Sequence, residues 1–149
     1  HPTDVSAIEE AMARTGTEEF ANRMINTLSG GEQQKVYIAA ALAQEAPLLL
    51  LDEPTAFLDY RHQEEVLNLL REINRKSGTT LLMVTHDLNV MARVGGNVLA
   101  LQDGTGVYAG PVSGLLSAER LESVFDVPFR FVEDLAGGRR ILVPEGKSA

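Results

Sequence analysis

Two acids in succession, Asp52 and Glu53, follow the apolar run Leu48 to Leu51. Acids at the carboxyl end of a buried parallel strand stand where α/β proteins bind ligands. Such a pair can divide the work of hydrolysing a nucleotide. Asp52 would hold a largely hydrated Mg²⁺, and Glu53 would act as general base on the attacking water. The same residues also fit a plain loop start before Pro54. A second group is Leu28-Ser29-Gly30-Gly31-Glu32. Its glycines let backbone N–H groups approach an anion, and the helix behind them adds partial positive charge. The Ser29 hydroxyl can donate to a phosphate oxygen, yet Ser29-x-x-Glu32 is equally an ordinary capping box. His86 follows the run Thr79 to Val84, one strand along from the acids, where it can donate to a terminal phosphate. Taken alone it fits an exposed structural role as well. His1 and His62 lack such a setting and read as surface residues.

These groups need elements to position them. Val5, Ile8 and Met12 give residues 4–14 a helical stripe, and Thr15-x-x-Glu18 signals a second short helix to about Met24. A third helix starts near Gly30, carries a narrow small-residue face of Val36, Ala39, Ala40 and Ala43 suited to close packing, and ends by Pro47. Leu48 to Leu51 reads as a strand covered on both faces. Tyr60 to Lys76 is an amphipathic helix with Val66, Leu67, Leu70 and Ile73 inward, a Glu72–Lys76 pair and a stop at Gly78. Thr79 to Val84 is a second buried strand, and strand–helix–strand of this length predicts parallel pairing. Asp87 caps a short helix through Arg93. Asp103-Gly104 turns a hairpin of Asn97–Gln102 and Thr105–Ala109, and two short helical patches occupy Val112 to Phe125. Phe129–Val132 and Arg139–Val143 make a last hairpin about Gly137-Gly138, before a frayed tail from Gly146.

Composition narrows the function classes. The 149 residues suffice for one domain with a core, and 44% hydrophobic with 23% charged is ordinary globular usage. A formal charge of −8 argues against a nucleic-acid surface, though not against one local nucleotide site. With no cysteine there is no disulfide, thiolate metal site or thiol nucleophile. No apolar run approaches the ~20 residues that span a bilayer, and the first ten residues lack the basic and apolar regions of a signal peptide.

Together the motifs resemble the ATP-binding-cassette (ABC) ATPase family. LSGGE at Leu28–Glu32, followed by QQKV, looks like its signature sequence, and LLLLDEPT at Leu48–Thr55 like its Walker B strand. Ala56-Phe57-Leu58-Asp59 matches its D-loop, and His86 its switch histidine. The resemblance runs through the hairpin and Ala109-Gly110-Pro111. It implies an α/β fold: part of a P-loop NTPase (RecA-like) parallel sheet with flanking helices. Residues 1–46 would be part of the helical signature subdomain, and 47–149 the C-terminal part of the ATPase core.

The resemblance also implies ATP and Mg²⁺ as ligands, with Glu53 as catalytic base, Asp52 as Mg²⁺ partner and His86 on the γ-phosphate. In a head-to-tail homodimer, Leu28, Ser29, Gly30, Gly31 and Glu32 would meet ATP held mainly by the other subunit, and Asp59 would communicate between them. Transmembrane permease subunits are the implied further partners, which places the ATPase on the cytoplasmic face of the membrane. Phe57 to Gln63 and the following EVLNLL look like the subgroup importing iron–siderophore, haem or cobalamin. The Walker A loop G-x-x-x-x-G-K-[ST] is absent, and complete cassettes need roughly 200–250 residues, so the chain reads as the C-terminal part of one. Alone it is expected to bind ATP weakly, hydrolyse it negligibly and leave an apolar sheet face in need of cover. Rival readings are a non-transport ABC ATPase of DNA repair or translation, and a non-catalytic cassette-like module; intact Glu53 and His86 weigh against the latter.

Overall fold

The structure, a computed structural model, describes residues 2–133 and 140–145. They fall into two compact units, residues 1–85 and 86–149.

In the first unit, helix α1 (Pro2–Thr15) packs on helix α2 (Gly30–Leu42) and buries Ala11 and Thr15. Val5 and Ile8, expected inward, are 56% and 49% exposed. The expected second helix over 15–24 does not form. Thr15 Oγ1 donates back to the Ala11 carbonyl at 2.9 Å, so the residue finishes α1 instead of capping a new helix. Gly16 follows in the left-handed region, and two single 3₁₀ turns, Glu18–Phe20 and Ile25–Thr27, carry the chain to α2. On α2 the buried residues are Gly31, Ile38, Ala39 and Leu42. Val36, Ala39, Ala40 and Ala43, the face suited to close packing, line an open groove of about 900 Å³ between α1 and α2, and of the four Ala39 is buried. The helix ends at the Ala43 cap, ahead of Pro47.

Strands β1 (Leu48–Asp52) and β2 (Thr80–Val84) pair in parallel, with Leu48 opposite Thr80 and Asp52 opposite Val84. Helix α3 (Tyr60–Ser77) joins them. It buries Val66, Leu67, Leu70 and Ile73 as its period predicts, and Gly78 ends it at a φ of 66°. The Glu72–Lys76 ion pair forms on its outer side. The core gathers Ala11, Ile38, Leu42, Leu49, Leu51, Val66, Leu70 and Ile73. Cover on both faces of β1 is not found among the described residues. Leu49 and Leu51 face this core, while Leu48 and Leu50 are 45% and 66% exposed. Leu82 and Val84 on β2 are exposed with them. The three helices that contribute to this core, α1, α2 and α3, pack against the Leu49 and Leu51 side of the strand pair, and period two sends alternate side chains to the other.

The second unit stands on its own core of Met91, Ala100, Val112, Leu115, Leu121, Val124 and Leu142. Asp87 caps helix α4 (Leu88–Val94), its Oδ1 accepting from Asn89 N at 2.8 Å and Val90 N at 3.2 Å. Strands β3 (Asn97–Gln102) and β4 (Thr105–Pro111) form the expected hairpin. Asp103 and Gly104 both take positive φ, 50° and 75°, as a two-residue turn matched to strand twist requires. Helices α5 (Val112–Leu115) and α6 (Ala118–Phe125) follow, then the antiparallel pair β5 (Phe129–Glu133) and β6 (Arg140–Pro144). Asn89 reaches from α4 to β6, donating to the Leu142 carbonyl at 3.1 Å and accepting from its N–H at 2.9 Å. The Gly137-Gly138 turn, His1 and the tail from Gly146 lie outside the described residues.

Candidate functional site

The acids stand where the strand periods put them. Asp52 is the last residue of β1, and its carboxylate is exposed. Glu53 leaves the strand with φ 45°, a left-handed conformation that disfavours a residue bearing Cβ. The turn is locked from three sides. Glu53 N donates to the Val84 carbonyl at 3.0 Å, Ala56 N to the Glu53 carbonyl at 3.0 Å, and Pro54 and Thr55 are buried. Thr85 Oγ1 donates to Glu53 Oε2 at 3.3 Å, fixing the candidate base at the end of the strand pair. Unfavoured backbone in an over-determined loop is a common property of functional sites.

Among the described residues no cluster of three or more His, Cys, Asp or Glu could cage a metal. One exposed carboxylate at a strand end still fits Mg²⁺, a hard cation that keeps several waters and takes its other ligands from substrate phosphates.

The glycine turn is built differently. Ser29 caps α2 in extended conformation and makes the full capping box. Its N–H donates to Glu32 Oε2 at 2.7 Å, and its Oγ accepts from Glu32 N at 3.4 Å. Hydrogen bonds from the Ser29 backbone and side chain hold the Glu32 carboxyl below its ordinary range. The structural role of Ser29-x-x-Glu32 is therefore realised. Gln33 Nε2 adds a bond to the Leu28 carbonyl at 2.9 Å.

Asp59 caps α3, with Oδ1 accepting from His62 N at 2.9 Å. That bond is the main reason its carboxyl is held below the usual range. His62, expected as a surface residue, is partly buried instead. Its Nδ1 lies 2.8 Å from Asp59 Oδ1, and its ring packs on Gly31. A Cβ placed on Gly31 would stand 2.3 Å from His62 Cδ2, and one on Gly30 would stand 3.6 Å from Leu58 Cδ2. Lys35 and Glu65 bridge α2 and α3 at 2.5 Å, which draws the Glu65 carboxyl down as well. The structure thus brings Gly30, Gly31 and Asp59 together, and separately joins Glu53 to Thr85. His86 opens the second unit as an exposed residue between Thr85 and the Asp87 cap. Sequence reasoning missed His62 and Thr85. An Asp-x-x-His spacing signalled a helix-cap contact for His62, but nothing in it pointed to Gly31.

The site thus joins two acids at a strand end, a loop with two left-handed residues after the strand, and a capped glycine turn. The ABC transporter family model matches residues 3–56. The chain belongs to the ABC ATPase family. It is 40% identical over 146 residues to the ferric enterobactin transport ATP-binding protein of Escherichia coli (strain K12), covering 98% of this chain and 54% of that protein. It is 44% identical over 141 residues to the hemin import ATP-binding protein of Streptomyces coelicolor, covering 95% and 50%. Other relatives are named for cobalamin import. The structure of a metal-chelate type ABC transporter in an inward-facing conformation aligns with TM-score 0.87 and 29% identity, over 95% of this chain and 57% of that one. The chain spans about half the length of the curated relatives it matches. Among the described residues, no helix is long and apolar enough to cross a membrane.

Proposed function

We propose that this chain is the C-terminal part of the ATP-hydrolysing subunit of an importer for an iron–siderophore, haem or cobalamin. The observation that carries this reading is the end of β1, where Glu53 is held in a left-handed turn by Val84 and Thr85 beside an exposed Asp52. The importer names of the relatives support the cargo class. Residues 1–46 form part of the signature subdomain, and 47–149 the C-terminal part of the ATPase core. Permease subunits carry the ATPase on the cytoplasmic face of the membrane.

Each residue has a role in this reading. Glu53 takes the proton of the attacking water, and the Thr85 bond keeps its carboxylate aimed. Asp52 holds Mg²⁺, which when bound neutralises phosphate charge. His86 donates to the γ-phosphate. Ser29 and the amides of Gly30 and Gly31 bind ATP presented by a second, head-to-tail subunit, with Leu28 and Glu32 shaping the turn. Asp59 stands at the loop between the two sites. Positioning and charge neutralisation supply most of the rate in phosphoryl transfer. Without a phosphate-cradling loop, this chain alone binds ATP weakly and turns it over negligibly.

Glu53→Gln in the complete protein tests the reading. Turnover should fall by about 100-fold or more, the usual worth of a general base, while ATP still stabilises the dimer. Unchanged turnover would overturn Glu53 as base.

A further inference from the structure

We propose that His62 is a positioning residue that ties the glycine turn at Leu28–Glu32 to the loop at Ala56–Asp59, so that the two move as one body. Gly31 is buried at the start of α2, and the space where its side chain would stand is taken by the His62 ring. The closeness of that packing, 2.3 Å from an ideal Cβ to Cδ2, means that even a methyl group on residue 31 must displace the imidazole. The other side of the ring is anchored. Nδ1 lies 2.8 Å from Asp59 Oδ1, and the same oxygen accepts from the His62 backbone at 2.9 Å. A carboxylate beside Nδ1 selects the ring form with a proton on that nitrogen. The imidazole is therefore a strut with one end on a glycine of the first segment and the other on the aspartate of the second. Leu58, in van der Waals range of a Cβ on Gly30, adds an apolar contact along the same line.

This rests on the proposed function for its consequence. If Gly31 and Ser29 meet ATP and Asp59 faces the other site, the strut makes nucleotide contact at the turn and the geometry of the loop a single variable. Glycine at 31 would serve two ends, an approachable backbone and a seat for the ring.

The test uses the complete ATPase that contains this chain. Wild type, Gly31→Ala, His62→Ala, the double variant and His62→Asn are compared, Asn keeping a nitrogen near the position of Nδ1. Two readouts need no turnover: the unfolding equilibrium, and the amide NMR signals of residues 29–33 and 55–59. Gly31→Ala should raise the unfolding constant at least tenfold in wild type and less than threefold when His62 is already Ala. His62→Ala should shift amides in both segments, and His62→Asn should restore those of 55–59. In ATPase assays, His62→Ala should raise KM for ATP severalfold more than it lowers kcat, with partial recovery in His62→Asn. Equal cost of Gly31→Ala in both backgrounds, or signals of 29–33 blind to His62→Ala, would overturn the strut. A wild-type protein without ATPase activity would sink the proposed function, yet the first two readouts would still decide the strut.

Discussion

The glycine turn and the acid loop are held by opposite means. The turn at Leu28–Glu32 is relaxed: its cap bonds span three residues, and its backbone torsions are ordinary at Ser29. The loop at Asp52–Asp59 is strained, with Glu53 and Phe57 at φ 45° and 61°, and it is kept in shape by buried Pro54 and Thr55 and by bonds to the end of β2. A turn made of local hydrogen bonds can form wherever its sequence occurs. A loop carrying two left-handed residues persists only where packing over-determines it. The difference places the cost of function in the acid loop, where the candidate base sits.

Beyond the loss of turnover at Glu53 and the tenfold effect at Gly31, smaller changes can separate the two regions. Ser29→Ala removes a helix cap and should lower stability by about 1 kcal/mol. Denaturant titration measures the loss, and faster amide exchange should appear at residues 30–33 while the Glu53–Val84 backbone bond stays protected. Phe57→Gly should do the reverse. The side chain is fully exposed, so little packing is lost, and relief of the left-handed conformation should outweigh the entropy of glycine by about 0.5 kcal/mol. A drop in stability would mean that the loop is not strained at that residue.

The smallest effect is acid sensitivity. The carboxyls of Glu32 and Asp59 are held below their ordinary range by the folded state. Their stabilisation is therefore complete above the usual carboxylate range and is lost as pH falls through their lowered values. The amides of Ser29 and His62 should loosen over that acidic window, while the Glu53–Val84 backbone bond should hold. Hydrogen exchange as a function of pH distinguishes them.

Much of this was legible in the residues because it depends on short range. The capping box at Ser29, the stripe of α3, the Gly78 stop and the Asp103-Gly104 turn are each decided within a few positions. Readings failed where a residue had two local options. Thr15 could cap the next helix or finish its own, and its bond to Ala11 decided the matter. Leu48 to Leu51 was apolar enough for either face to be covered, and the described residues cover only one. His62 looked idle because its partner at Gly31 is distant in sequence.

Outside residues 15–24, the sequence by itself determined the element types, and with them the parallel pairing of β1 with β2, the place of Asp52 and Glu53 at the strand end, and the family. Period, capping and turn chemistry act over neighbours and need no knowledge of the whole. Tertiary structure alone decided which side of the strand pair is buried, that Glu53 is bent into a left-handed turn under Thr85, and that an imidazole fills the hollow of Gly31. Those outcomes depend on which surfaces meet, and close packing admits one arrangement where local preference admits several.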